Sequence, residues 1–350
     1  MKGCEAIAEA AVRGGCRFFA GYPITPQNEI PEYLSWRLPE VGGAFVQGES
    51  EVASINMVYG AAATGTRALT SSSGPGISLK AEGISYLASA QLPAVIVNIS
   101  RGGPGLGSIQ PAQSDYLQAT KALGHGGFRT IVFAPATLQE AVDLTYNAWE
   151  IAERDRNPVF ILMDGCLGAI MEEVELPPMK ELDHTATEDW DLSRRNGRAD
   201  AHMITPILPE MALEMLNKFK GMTYKMWDMT DMKVEEYLVE DAEYVVVAYG
   251  IAARVAKEAI NTLREEGYKV GMIRPITLYP FPKASLDNLD YGKVKGIIDI
   301  EMTIPAQMRD DIELQVKGRC PVHEYGRSGG MLLDDEGVYD AIANIVKGGE

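Results

Sequence analysis

The sequence predicts an α/β protein, a doubly wound parallel sheet followed by a second, smaller α/β unit. Three observations carry that expectation. Apolar runs of four to eight residues, rich in Val and Ile, alternate with helical patterns over the first 165 or so residues. The alternation lapses between Glu172 and Asp241. It resumes from Tyr244 onward. Strands apolar on both faces suit a parallel sheet that helices cover on both sides.

In order, residues 3–13 read as helix and 17–20 as strand. Pro23 and Pro26 bound a turn, and a helix runs from about Asn28 to Leu38. The apolar run 44–46 fits a buried strand. Ser50 then suits an N-cap, with Ala53, Met57, Ala61 and Ala62 near helical spacing. Small residues dominate the second half of that helix, which permits close packing against a sheet or another subunit. Residues 67–72 form the next strand, and Gly74-Pro75-Gly76 forces a turn before a helix over 77–89. Strand 94–99, a helix near 114–123, strand 129–134, the long helix 138–154 and strand 158–163 complete the first unit.

The next stretch breaks the pattern. Residues 183–200 are polar, with three Arg and no hydrophobic period, and read as a linker or excursion loop. Residues 203–237 carry Met203, Met211, Met215, Met222, Met226, Met229 and Met232. A Met-rich stretch can be an adaptable partner surface, although a core or interface helix is commoner. The second unit then has strand 244–249, helix 252–266, strands 269–273 and 294–301, and helices near 307–316 and 337–346. It is Rossmann-like, but Gly250 stands alone where a dinucleotide site would want Gly-x-Gly-x-x-Gly. The expected division is 1–175, 176–240 and 241–350.

With 350 residues, each unit can bury its own core. Composition is ordinary globular, at 46% hydrophobic and 23% charged. No apolar run reaches the roughly 18 residues needed to span a membrane. Glu5 and Glu9 interrupt any signal-like core, so a cytoplasmic location is expected. The net charge of −17 argues against nucleic acid and against direct docking of an acidic ferredoxin on this chain. Cys4, Cys16, Cys166 and Cys320 are scattered, with no Cys-x-x-Cys, and read as structural thiols. Any iron–sulfur clusters would have to sit on other polypeptides.

Glu51 falls in a first helical turn at the carboxyl end of a strand, where ligands bind in open α/β sheets. Dipole complementarity alone would explain an acid there. Its company adds weight. The segments 22–26 and 98–105 each follow a strand-like run, so all three can converge on one sheet edge.

These segments carry a resemblance. Gly21-Tyr-Pro-Ile-Thr-Pro26, Gly48-Glu-Ser-Glu51 and Ser100-Arg-Gly-Gly-Pro-Gly-Leu-Gly107 resemble the α subunit of multi-subunit 2-oxoacid:ferredoxin oxidoreductases, and the likeness spans essentially the whole chain. The run from Pro23 to Gly43, with Gln27-Asn-Glu-Ile-Pro-Glu-Tyr33 inside it, is most similar to the branched-chain (2-oxoisovalerate) type. The resemblance implies a thiamine-diphosphate pyrimidine-type domain followed by a transketolase-C-terminal-type domain. It implies an enzyme of anaerobic metabolism that oxidatively decarboxylates a 2-oxoacid to acyl-CoA and carbon dioxide, with electrons passed to ferredoxin.

By motif match, Glu51 bonds the pyrimidine N1′ as the catalytic carboxylate, with Glu49 the competing choice. Pro23 and Arg101 join Glu51 in cofactor binding, and Thr25 and Arg101 bind the substrate carboxylate. Thr25 could instead cap the following helix, and Arg101 could serve in a surface ion pair. The resemblance places Mg²⁺ and the diphosphate on a β subunit, since this chain lacks the Gly-Asp-Gly…Asn signature and has no metal ligands of its own. Coenzyme A is the implied co-substrate. [4Fe-4S] clusters belong to partners, with γ and ferredoxin-like δ subunits and an external ferredoxin completing the set. The loop 102–107 reads as a close-approach segment, although its backbone N–H groups could cradle a phosphate. His125 reads as a turn histidine rather than a proton shuttle. Residues 302–306 depart from the Asn and Gly common there in the family, which leaves any contact from that stretch open. Alternatives are a 2-oxoglutarate or pyruvate enzyme, a non-redox thiamine-dependent decarboxylase subunit, or a non-catalytic scaffold. A dicarboxylate would require a second cation, and nothing in the sequence places Arg67 or Arg129 in such a pocket.

Overall fold

The computed structural model describes residues 1–121, 123–182, 190–193 and 203–348. The first unit runs α1 (Gly3–Arg13), β1 (Phe18–Gly21), α2 (Glu29–Glu40), β2 (Ala44–Gln47), α3 (Glu51–Ala63), β3 (Ala68–Ser72) and α4 (Gly74–Ser89). It continues with β4 (Val95–Ser100), α5 (Tyr116–Thr120), β5 (Ile131–Phe133), α6 (Leu138–Asp155), β6 (Val159–Asp164) and α7 (Gly165–Ala169). Next come α8 (Glu210–Thr230), β7 (Val234–Tyr237), β8 (Tyr244–Ala248), α9 (Gly250–Glu265), β9 (Val270–Pro275) and β10 (Thr277–Tyr279). The described chain closes with α10 (Lys283–Asp287), β11 (Gly296–Glu301), α11 (Arg309–Val316), β12 (Val322–Gly326) and α12 (Asp335–Val346).

Strand periodicity builds the first core. On β4, Val95, Val97 and Ile99 face the cluster made by α1, α2 and α6, while Ile96 faces the one made by α3 and α4. The sheet order is β10-β5-β6-β4-β3-β1-β2, and its neighbours pair parallel except β10 on β5. The second sheet, β12-β11-β8-β9-β7, is parallel except for β7 on β9. The fold is therefore the expected α/β type, but each sheet is mixed at one edge. A three-residue strand such as Thr277-Leu278-Tyr279 is too short for periodicity to reveal. Polar β12 and β7 lie at edges, where no two-sided apolar run is required.

Between the sheets the polar stretch 183–200 lies outside the described residues, except for 190–193. There Trp190 packs on the first core, and the Leu192 N–H donates to the Ala63 carbonyl at 2.9 Å. The Met-rich stretch does form a helix, α8, but its methionines do not enter the core. Met211, Met215, Met222, Met226 and Met229 are all exposed, and α8 is anchored by Trp227 and Lys220. Trp227 Nε1 donates to Asp155 Oδ2 at 2.7 Å. Lys220 Nζ donates to the Asp155 and Arg156 carbonyls at 2.8 and 2.6 Å, closing the end of α6.

The two sheets are tied together through polar side chains that cross between the units in both directions. Gln113 is the central tie: its Nε2 donates to the Tyr249 carbonyl at 2.8 Å, and its Oε1 accepts the Met302 N–H at 2.9 Å. Arg274 of β9 forks onto both oxygens of Glu140 in α6, at 2.9 and 2.6 Å. Because Gln113 is buried, Gln113→Leu leaves two backbone groups unpaired. It should lower stability by about 3 kcal/mol, read as a reduced urea midpoint with an unchanged m-value.

Candidate active site

The order of strands in the first sheet fixes where a site can form. The chain leaves β1 for β2 on one side and β3 for β4 on the other, so the crevice between β1 and β3 is the topological switch point. The carboxyl ends of β1, β3 and β4 lead into the segments 22–28, 73–76 and 101–107.

Glu51 enters this crevice. Ser50 is in extended conformation and caps α3, its hydroxyl accepting the Ala53 N–H at 3.1 Å. That cap sets Glu51 in the first turn, where it is 6% exposed, whereas Glu49 points to solvent. The carboxylate lies against the β3–α4 turn. A Cβ at Gly76 would stand 2.7 Å from Glu51 Oε1 and 2.1 Å from Ser72 Oγ, so both side chains would have to shift to admit one. Glu51 accepts no hydrogen bond from the described residues.

Around it several buried polar atoms also lack partners among the described residues: Ser72 Oγ, Ser73 Oγ, Asn98 Oδ1 and Arg101 Nε. Such atoms are rare in folded interiors. Their gathering at the carboxyl edge of one sheet marks a place built for a polar ligand.

Arg101 is buried, and its fork is already engaged. Nη1 donates to the Thr25 carbonyl and Nη2 to the Leu106 carbonyl, each at 2.9 Å. It is thus no surface ion-pair residue; it clamps two loops over the crevice. Thr25 and Pro23 are exposed on the first of these loops. Thr25 does not cap α2, which starts at Glu29 behind Asn28, and its hydroxyl is free of hydrogen bonds to the described residues. Beside Arg101, Asp115 accepts from Asn98 Nδ2 at 2.9 Å. Burial pushes the Asp115 carboxyl above its usual range, against the opposing pull of Asn98 and the Gly74 N–H.

A pocket of about 780 Å³ opens here, lined by Gly74, Arg101 and Asp115 and, across it, by Thr303, Ile304 and Gln307. The departing stretch 302–306 therefore forms the far wall. Leu106 and Ile304 expose 79% and 60% of their surface at its rim. His125 is elsewhere, in a pocket against α8. Its carbonyl accepts from Ser85, which is eleven residues along α4 from Gly74, roughly 16 Å.

Residues 9–247 match the family described as pyruvate flavodoxin/ferredoxin oxidoreductase, thiamine diP-binding, and residues 242–338 match pyruvate:ferredoxin oxidoreductase core domain II. The chain belongs to the 2-oxoacid:ferredoxin oxidoreductase family.

Among its relatives is ketoisovalerate oxidoreductase subunit VorB of Methanothermobacter thermautotrophicus, 45% identical over 99% of this chain and 97% of that one. The 2-oxoglutarate synthase subunit KorA of Methanocaldococcus jannaschii is 34% identical over 98% of each. A solved 2-oxoglutarate:ferredoxin oxidoreductase from Magnetococcus marinus, with 2-oxoglutarate, coenzyme A and succinyl-CoA bound, superposes with a TM-score of 0.83 at 27% identity. It covers 99% of this chain, which spans 65% of that longer one. A split-gene transketolase shares the fold at a TM-score of 0.61 and 16% identity. As an oxidoreductase-family subunit the chain carries a thiamine-diphosphate-type domain, and no helix among the described residues is long and apolar enough to cross a membrane.

Sequence reasoning missed Asp115, Asn98, Ser72 and Lys80 in this oxidoreductase subunit. For Lys80 there was a signal. Ile77, Lys80, Ile84 and Leu87 fall on one helical face, which places an amine among buried positions. The packing around Gly76 can be checked against an exposed glycine of the same helix pair. Gly76→Ala should destabilise by about 2 kcal/mol through overpacking, whereas Gly60→Ala, with open space around it, should stabilise by about 0.5–1 kcal/mol. Thermal or urea unfolding of the two variants measures both.

Proposed function

We propose that this chain is the α subunit of a 2-oxoisovalerate:ferredoxin oxidoreductase, supplying the pyrimidine side of a thiamine diphosphate site that a β subunit completes. The observation that carries the reading is Glu51: a buried carboxylate at the switch point, free of protein hydrogen bonds, beside unpartnered polar atoms that fit a polar heterocycle. When bound, thiamine diphosphate supplies the carbanion and electron-sink chemistry that decarboxylation of a 2-oxoacid requires. Glu51 would hold a proton at the pyrimidine N1′, and its burial would keep water from competing for that bond. Pro23 and Arg101 fix the loops that border the ring. Arg101 brings a permanent positive charge to the pocket where the substrate carboxylate sits, and Thr25 contributes its free hydroxyl.

The pocket lining favours a short aliphatic 2-oxoacid. Leu106, Ile304 and Pro305 make an apolar rim, and among the described residues Arg101 is the one cation that lines it. Arg67, which a dicarboxylate enzyme might have recruited, is paired with Glu153 at 2.7 Å, and Arg129 stacks on Tyr279. A 2-oxoglutarate or pyruvate enzyme and a non-redox decarboxylase remain the readings to test against. Coenzyme A enters as acyl acceptor. The diphosphate and Mg²⁺ rest on β, [4Fe-4S] clusters on γ and δ partners, and an external ferredoxin takes the electrons in the cytoplasm.

Glu51→Gln keeps the shape but removes the acid. In the assembled complex it should lower turnover by roughly 10²-fold or more, while Glu49→Gln stays near normal. Normal turnover for Glu51→Gln with loss in Glu49→Gln would exchange the two roles. The half-site reading has its own measurement, calorimetry with thiamine diphosphate and Mg²⁺. The chain alone should show no micromolar binding, and addition of β should restore it, because tight sites enclose most of their ligand. Substrate profiling of the complex should rank 2-oxoisovalerate above 2-oxoglutarate.

A further inference from the structure

Beneath Glu51 lies a charge that the proposed mechanism does not use. Lys80 of α4 is fully buried. It sits one helical turn beyond Gly76, so it shares the helix face against which the Glu51 carboxylate rests. Nζ donates to Thr70 Oγ1 at 2.6 Å and to the Ser71 carbonyl at 2.8 Å. Both acceptors are neutral, and Lys80 forms no ion pair with any described residue. Thr70 in turn donates to the Ala20 carbonyl at 2.7 Å, at the end of β1. The Ser71 hydroxyl donates to Gln27 Oε1, and Gln27 Nε2 reaches the Tyr22 carbonyl at 3.3 Å. A single amine thus gathers α4, β3 and the loop that carries Pro23 and Thr25.

We propose that Lys80 is a positioning residue for Glu51, a buried amine that shares the layer of the Glu51 carboxylate and fixes the strand ends and helix face against which it rests. The proposal rests on the reading of Glu51 given above. Its physical basis is opposition between two effects. Burial penalises both an ammonium and a carboxylate, yet each charge relieves the other's penalty when they lie in one low-dielectric layer. Burial lowers the Lys80 amine to about 7, and the Glu51 charge pulls it back upward. From β3 the amine meets a hydroxyl and a carbonyl, and from α3 the charge that acts on it is that of Glu51. No other charged group among the described residues acts on it. Arg101 and Asp115, which act on each other through space, lie at the next strand end.

A lysine serving only to fill space would not sense residue 51. The sign of the linkage follows from the depressed amine. Between about 7 and the ordinary 10.5, the unfolded chain binds a proton that the folded chain does not, so this group's contribution to stability rises with pH across that window. The first experiment is the urea midpoint of the full chain as a function of pH for wild type and Glu51→Gln. With the carboxylate neutralised, the rise should begin at least half a pH unit lower. Lys220, the other buried amine, has Arg156 and Asp155 as its charged neighbours and cancels in the difference. Superimposable pH profiles would overturn the proposal, and this comparison does not depend on any Lys80 variant folding.

The second experiment is the pH profile of kcat/KM in the complex assembled with its partner subunits. Lys80→Met should move the acid limb upward by half a unit or more, and Lys80→Arg should restore its position. Equal losses in both variants without a displaced limb would reduce Lys80 to packing and overturn the proposal. Turnover of Glu51→Gln decides the underlying reading of Glu51 separately, since the urea comparison reports the pairing whether or not the complex is active.

Discussion

Glu51 lies in its observed place beneath the carboxyl edge of the first sheet because residue 76 has no side chain to displace it. The same absence recurs two turns along α4, where a Cβ at Gly83 would stand 2.5 Å from Ile55 Cγ2 of α3. Two glycines seven residues apart on one face let α3 and α4 approach closely at both levels. The close approach sets the depth of the crevice, and with it the burial of Glu51. The Ala-rich half of α3, by contrast, leaves Gly60 facing open space. The tight contact is made by α4, and small residues on α3 do other work.

That close approach leaves an unusual electrostatic layer. Lys80, Glu51, Arg101 and Asp115 gather near the ends of β3 and β4, and all are buried. In an ordinary core each would be paired by direct contact. Here Lys80 and Arg101 donate chiefly to neutral oxygens, so their charges are held by hydrogen bonds without being neutralised. Fields of that kind act on whatever enters the crevice. Preorganised, water-poor charge is the arrangement in which a small movement of a proton costs least reorganisation.

The sequence shows much of this architecture and little of its wiring. Strands buried on both faces, such as Val95–Ser100, announce themselves through unbroken apolar runs, and Ser50 announces α3 through its cap. The motifs around Thr25, Glu51 and Arg101 also converge on one edge, as parallel topology dictates. Edge strands escaped because partial exposure removes the two-sided pattern: Val322-His-Glu-Tyr-Gly326 has none. Side-chain partners escaped for a different reason. That Arg101 spends its fork on two backbone carbonyls depends on where Leu106 returns after a turn through Gly105 at φ 69°, a tertiary outcome with no local signature. The methionines of α8 illustrate the same limit, since helical periodicity predicts a stripe but not which side of it meets the core.

The second unit has a less passive place than its separate sheet suggests. Gln113 and Gln307 bind reciprocally across the junction, Gln307 Oε1 accepting the Leu117 N–H at 2.9 Å and Nε2 donating to the Ser114 carbonyl at 2.8 Å. These bonds hold the segment after β4 against the turn after β11, which ties the pocket wall at 303–307 to the chain that follows the Arg101 loop. A site assembled in this way is firm behind and open in front. Behind Glu51 the ends of β1 and β3 are cross-tied through Thr70, Lys80, Ser71 and Gln27, whereas Val52, Leu79, Leu106 and Ile304 leave large apolar surfaces exposed around the crevice. On the proposed reading that asymmetry is what a half-site requires. The firm side presets the carboxylate before any ligand arrives, and the apolar rim gives a second subunit the dry contact area that closing over the cofactor demands.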